Sequence, residues 1–247
     1  AQDLYTYVSA NPSKITTVVI SLTIAISESS LPLLATLAKR NGKRQIGKTI
    51  AQNVELMLLT LLPSSLLLAV LSWEVNGVFF PFSRLGANLL AYALVTSIAL
   101  ALFTDFFTIV QSLGKHRLAV RYLTLGIILK LALQVPLTYL FGAYGALSAT
   151  TVSFLLISLG VYGQIKKHYL VRGQMKNVKF IIVINLLVAL MAYLTNELIS
   201  LVYLPQNKLT AFLYAAVFGG AFVLLNKSGI FKEVFGFKVK LAVKGKH

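Results

Sequence analysis

Seven long apolar stretches, separated by short polar segments, constrain this chain more than any other feature of its sequence. They lie at about 15–36, 54–72, 88–113, 118–140, 143–165, 180–202 and 209–226. A helix needs about 20 consecutive apolar residues to cross the hydrocarbon core of a bilayer, and each stretch approaches or exceeds that length. Hydrophobic residues make up 57% of the chain and charged residues only 12%, which is too little polar surface for a water-soluble fold. The sequence therefore predicts an all-α polytopic membrane protein with about seven transmembrane helices.

The basic residues are distributed unevenly among the segments that connect these spans. Most of the 23 Lys and Arg residues follow the first, third and fifth spans or lie in the C-terminal tail, whereas Lys14, Arg84 and Lys208 lie on the other side. Cytoplasmic loops of membrane proteins are enriched in Lys and Arg, so this pattern predicts a cytoplasmic C-terminus. Seven spans then put residue 1 outside. An outside start without an export signal leads us to expect further helices upstream, as in the C-terminal part of a longer transporter.

The spans are expected to form two groups. Residues 1–165 contain five of them, and residues 166–247 contain two further spans and a basic cytoplasmic tail. The connection FGAYG between the fourth and fifth spans is so short that these helices are expected to be antiparallel neighbours.

Several function classes are disfavoured by the sequence. The net charge of +16 does not indicate nucleic-acid binding, because the basic residues alternate with apolar spans instead of forming one basic face. The chain has no cysteine and its three histidines lack metal-ligand spacing, so no metal site is predicted. No Ser/His/Asp or nucleotide-binding pattern occurs, so neither an enzymatic activity nor a cofactor is predicted. Coupling to Na⁺, H⁺ or the membrane potential stays open.

Four segments, taken in order, resemble a known family of transporters. ISESSLPLLATLAKRNGKRQIGKTI is similar to a helix with a Ser/Pro element before a basic cytoplasmic loop, and LLTLLPSSLLLAVL to the proline-bearing helix that follows. VQSLGKHRLAVRYLTLGIILKLAL is similar to a short Gly-Lys turn between helices, and FGAYGALSATTVSF to a Tyr-Gly turn into a helix of small residues. Together they resemble the multidrug/oligosaccharidyl-lipid/polysaccharide (MOP) superfamily, especially bacterial polysaccharide-biosynthesis and lipid II flippases of the MurJ and SpoVB type.

This resemblance implies both an architecture and an activity. The chain would form one lobe of a MOP-type transporter in the bacterial cytoplasmic membrane, and its partners would be the N-terminal lobe of the same polypeptide, membrane lipids and a lipid-linked saccharide. The implied function is a flippase for undecaprenyl-linked precursors such as lipid II or polysaccharide repeat units. Two alternatives stay open: a cation-coupled multidrug exporter of the same superfamily, and a non-transporting membrane scaffold for cell-wall synthesis.

Three ionisable residues lie well inside predicted spans, away from the span ends, where a charge costs about 2.5–3.5 kcal/mol at the helix centre. Two of them, Glu28 and Asp105, are candidates for ion coupling, since a carboxylate at membrane depth can bind a cation or a proton. Pro32 lacks the N–H that would bond the carbonyl of Glu28. The alternative is a proline kink with Glu28 in water, and for Asp105 a hydrogen-bond network between packed helices.

The third ionisable residue, Lys130, lies near the middle of the fourth span, one turn before Gln134. Because a Lys is a point charge for phosphate, Lys130, Gln134 and Asp105 are candidate substrate-binding residues. In the alternative, Lys130 pairs with Glu28 or Asp105 and holds the lobe together. A cationic cavity favours a flippase, whereas an anionic one favours an exporter of cations. Glu55, at the start of the second span, is expected to reach water and to be structural.

Overall fold

In a computed structural model, the described part of the chain consists of α-helices joined by short turns. The structure describes residues 11–40, 42–79, 84–169, 171, 178–201 and 220, and these contain no β-strand. The helices are α1 (Asn11–Glu28), α2 (Leu31–Lys39), α3 (Lys43–Val70), α4 (Ser72–Phe79), α5 (Arg84–Ser112), α6 (His116–His168) and α7 (Val178–Leu201). They fall into two compact units, Ala1–Met175 and Lys176–His247, and α7 belongs to the second.

Three helices of the described residues, α3, α5 and α6, are long and apolar enough to cross a membrane. Shorter apolar helical segments occur at Ser13–Ala25 and Val178–Leu190. An all-helical architecture, with helices long and apolar enough to span a membrane, is therefore confirmed for the described residues, whereas the number of seven spans stays a prediction. The seventh predicted span, 209–226, lies outside the described residues apart from position 220.

α6 is two helices joined by a sharp reversal. Gly142 has φ 58° and ψ −131°, a conformation that side-chain-bearing residues rarely adopt and that ends the first helix. Beyond it the second helix returns along the first, since a Cβ placed on Gly126 would lie 3.4 Å from Cγ1 of Ile157. At the reversal itself, a Cβ on Gly145 would lie 1.8 Å from the carbonyl oxygen of Leu137. The predicted antiparallel pairing of the fourth and fifth spans is confirmed.

The close approach at Gly145 predicts that Gly145→Ala destabilises the protein. The new methyl group would overlap a backbone carbonyl that cannot move aside like a side chain, and forced overpacking costs up to about 3 kcal/mol. We expect a lower apparent melting temperature in detergent. Gly163→Ala, in the same helix, is the matched control, because nothing lies within 4 Å of its added Cβ. Equal melting temperatures for the two variants would contradict this packing.

α5 is the central helix of the first unit, with contacts to α1, α2, α3, α4 and α6. Its large apolar side chains Leu89, Leu94 and Ile109 are fully buried. The first half of α6 instead exposes large apolar side chains, with Ile128 59% and Val135 75% exposed. Such an apolar surface is what a helix presents to lipid, so burial inside this unit is concentrated around α5.

Two boundaries differ from the sequence prediction. The first predicted span is divided at Ser29–Ser30 into α1 and α2, because Pro32 falls in the first turn of a new helix, where its missing N–H does no harm. α3 begins at Lys43, well before the predicted apolar start at residue 54. Glu55 therefore lies about three turns inside α3 and is only 3% exposed. The expectation that Glu55 reaches water is wrong, since hydropathy alone does not detect the basic first turns of the helix.

Candidate functional site

A buried polar cluster joins three segments of the first unit. Ser30 lies between α1 and α2, Asn53 lies in α3, and Asp105 lies in α5. The Ser30 hydroxyl donates a hydrogen bond to Oδ1 of Asn53, and Nδ2 of Asn53 donates to Oδ1 of Asp105 at 2.8 Å. None of the three residues is more than 6% exposed. The side-chain amide of Asn53 thus connects the carboxylate of Asp105 to Ser30, at the break between α1 and α2.

The helix break explains how Ser30 reaches this cluster. The carbonyl of Ser30 accepts the backbone N–H of Leu34 at 3.1 Å, which starts α2, and Pro32 follows in its first turn. The side chain of Ser30 points inward, where its hydroxyl donates a hydrogen bond to the side chain of Asn53. Because each buried polar group left without a partner costs about 1–3 kcal/mol, these bonds stabilise the arrangement of three segments.

Asp105, Thr108 and Ser112 form a polar stripe on α5, which is only partly used in this cluster. The Thr108 hydroxyl donates a hydrogen bond to the backbone carbonyl of Thr104, and the Ser112 hydroxyl donates one to the backbone carbonyl of Ile109 at 2.8 Å. Both hydroxyls therefore bond to their own helix. Of the stripe, Asp105 is the residue that connects α5 to α3.

Lys130 lies elsewhere, on the first half of α6 and half-buried. Its Nζ is 5.9 Å from the ring centroid of Phe154, on the returning half of α6, and that ring packs at 4.8 Å on Phe103 of α5. A cation over an aromatic face within about 6 Å is attracted by the ring quadrupole. Among the described residues no ion pair of Lys130 is present, so the alternative in which it pairs with Glu28 or Asp105 is not supported.

The other predicted site residues are spread over the unit. Gln134 is half-buried one turn after Lys130, on the same helix. Glu28 is the last residue of α1 and its side chain is exposed. The carboxylate of Asp105 accepts a hydrogen bond from Asn53 of α3, whereas the ammonium of Lys130 lies over the ring of Phe154 on the returning half of α6. Asp105 and Lys130 thus have different neighbours, and the structure does not bring the predicted site residues together in one cluster.

The chain is similar to a curated protein, the lipid II flippase MurJ of Bacillus subtilis (strain 168). The two are 27% identical over 172 residues, which is 68% of this chain and 32% of that relative. The resemblance to MurJ-type flippases is confirmed. The chain spans about a third of the length of this relative. No family model and no solved structure matches the chain.

Within this MurJ-like chain, two residues of the buried cluster were not predicted from the sequence. Asn53 lies one residue before the predicted second span, and Ser30 was treated as part of a proline element. The position of Asn53 directly before a long apolar run could have indicated its role. An amide buried at such a position must find hydrogen-bond partners. A second polar contact was also not predicted: the hydroxyl oxygens of Tyr92 in α5 and Ser148 in α6 lie 2.8 Å apart.

Proposed function

We propose that this chain is part of a flippase that moves an undecaprenyl-linked saccharide, such as lipid II, from the inner to the outer leaflet of the bacterial cytoplasmic membrane. The similarity to the MurJ flippase is the observation that carries this proposal. In it, the C-terminal tail is cytoplasmic, residue 1 is outside, and the N-terminal lobe of the same polypeptide completes the transporter. The reaction is a translocation by alternating access, so no residue is assigned a catalytic role.

Lys130 is proposed to contact the anionic diphosphate of the substrate, with Gln134 one turn away as an additional donor. The support is its position: it lies mid-helix, half-buried, and held by an aromatic face instead of a carboxylate. An ammonium held in this way keeps its N–H donors available for a phosphate oxygen. Lys130 is the cationic half of the proposed mechanism.

Asp105 is proposed to take part in ion coupling rather than to contact the substrate. Its carboxylate is buried and bonded through Asn53 to the break at Ser30. Binding of a proton or a cation at that carboxylate would change its bonds to α3, and through Ser30 the angle between α1 and α2. Glu28, exposed at the end of α1, is the second proposed coupling residue.

One observation favours the scaffold alternative. A scaffold without a cavity is expected to close its polar stripes by internal hydrogen bonds, and Thr108 and Ser112 on α5 are bonded in this way. The exporter alternative expects carboxylates to line a cavity, whereas the carboxylate of Asp105 is buried and bonded to Asn53 of α3. The scaffold is therefore the second candidate function.

The proposed function is tested by reconstituting the full-length protein in vesicles and measuring translocation of a fluorescent lipid-linked saccharide. We expect transfer between leaflets, together with growth of a flippase-depleted strain that expresses the protein. Vesicles with an unrelated polytopic membrane protein are the control. Correct insertion with neither transfer nor growth would favour a scaffold, and transport of a cationic dye alone would favour an exporter.

A further inference from the structure

A pocket of about 580 Å³ lies at the end of the bundle where α5 meets α6. Its wall is the turn at residues 114–118, together with Gln164 and His168 from the last turns of α6. The polar stripe of α5 and the site around Lys130 do not contribute to its lining. The pocket is large enough for a small ligand, since binding pockets usually measure about 300–1,000 Å³.

The lining of this pocket is basic. Lys115 contributes an ammonium and Arg117 a guanidinium, His116 and His168 add imidazole nitrogens, and Gln164 adds an amide. No acidic residue lines it. Such a set of donors, without a carboxylate to neutralise it, matches an anionic group that bears several acceptor oxygens.

The backbone of the turn adds a second feature. Gly114 has φ 74°, which allows the chain to leave α5 and start α6 within a few residues. The carbonyl of Lys115 accepts the N–H groups of Leu118 and Ala119 at 3.0 and 3.1 Å, so it opens the first turn of α6. The first N–H groups of a helix have no partner within the helix and carry partial positive charge. They lie beside the basic side chains.

Lys115 is held at the pocket by an aromatic contact. Its Nζ is 5.2 Å from the ring centroid of Tyr169, directly after the end of α6. Burial lowers the pKa of Lys115 from its usual value and raises the pKa of Tyr169. A nearby anion favours the charged form of a partly buried ammonium, so a ligand of negative charge would offset the effect of burial on this side chain.

We propose that this pocket binds the phosphate group of an anionic phospholipid headgroup. It lies at a helix end, beside the loops that the distribution of basic residues predicts to be cytoplasmic, where anionic headgroups line the membrane. Basic pockets between transmembrane helices on that side are known to bind such headgroups. The inference goes beyond the proposed transport function and does not depend on the identity of the transported substrate.

The test is binding of short-chain phosphatidylglycerol to the purified full-length protein in detergent, measured by the rise in apparent melting temperature. Salt at about 0.3 M shortens the Debye length and removes most long-range attraction. The double variant Lys115→Gln/Arg117→Gln should bind at least about tenfold more weakly than the wild type. The double variant Lys166→Gln/Lys167→Gln is the matched control, because it removes the same charge from exposed side chains outside the pocket lining. It should bind like the wild type.

Further measurements distinguish a lipid headgroup from free phosphate and show whether the loss of binding comes from misfolding. Inorganic phosphate and short-chain phosphatidylcholine should stabilise the protein much less than phosphatidylglycerol does. Arg117→Gln alone, at an exposed position, should fold normally and already weaken binding. Unchanged binding by both pocket variants, or an equal loss in the Lys166/Lys167 control, would overturn the proposal. Equal protection by inorganic phosphate would overturn the lipid headgroup as the ligand.

Discussion

Lys130→Gln in the full-length protein should insert and fold yet transport lipid-linked saccharide about 10- to 100-fold more slowly. The substitution keeps a polar side chain of similar length but removes the charge, and a hydrogen bond to a charged group contributes about 1.5–3 kcal/mol. Folding should change little, because the contact of Lys130 with Phe154 is of the cation–π type and amounts to about 0.5–1 kcal/mol where water has access. Complementation of a flippase-depleted strain and vesicle translocation both measure the loss.

Two variants control for this result. Lys130→Arg keeps the charge and should retain part of the activity, although a planar guanidinium does not reproduce the geometry of an ammonium. Arg121→Gln removes an exposed charge from the same helix and should leave transport unchanged. Because the recorded neighbour of Lys130 is Phe154 and that of Asp105 is Asn53, the effects of Lys130→Gln and Asp105→Asn on the free energy of unfolding should add. Full complementation by a stable Lys130→Gln variant would exclude the substrate-binding role.

Asn53→Leu should destabilise the protein by about 3 kcal/mol. It removes the amide that donates to the buried carboxylate of Asp105 and accepts from Ser30, so two polar groups lose a partner in an apolar interior. The loss should appear as a lower apparent melting temperature in detergent. In the double variant Asn53→Leu/Asp105→Leu the buried charge is also removed, and the total loss should be smaller than the sum of the single losses. Strict additivity would show that the two residues are energetically independent.

A neutral pair between the same two helices is the matched control. Ser65 and Ser97 join α3 to α5 by a hydroxyl contact of 3.2 Å, and Ser65→Ala should cost about 1 kcal/mol. Asp105→Asn separates packing from ion coupling, because it keeps an acceptor oxygen for Asn53 but cannot bind a proton or a cation in the same way. A normal melting temperature with lost transport would support coupling, whereas normal transport would leave Asp105 a packing role.

The sequence alone determined the helical class and most helix positions. Apolar runs of spanning length form helices in a membrane because each backbone group must be bonded within its own segment, which is a local requirement. The reversal at Gly142 was also predictable, since a few residues such as FGAYG leave no room for another path. The positions of Asp105 and Lys130 within spans followed from the same local pattern.

Only the tertiary structure decided which polar residues meet. Which face of α5 contacts α3, and which contacts α6, depends on packing among side chains far apart in the chain. Periodicity within one helix contains no information about that rotation. For this reason Asp105 has Asn53 as its partner and not Lys130, and Lys130 lies on the ring of Phe154. For the same reason Glu55, predicted to reach water from its place in the sequence, is buried among neighbouring helices.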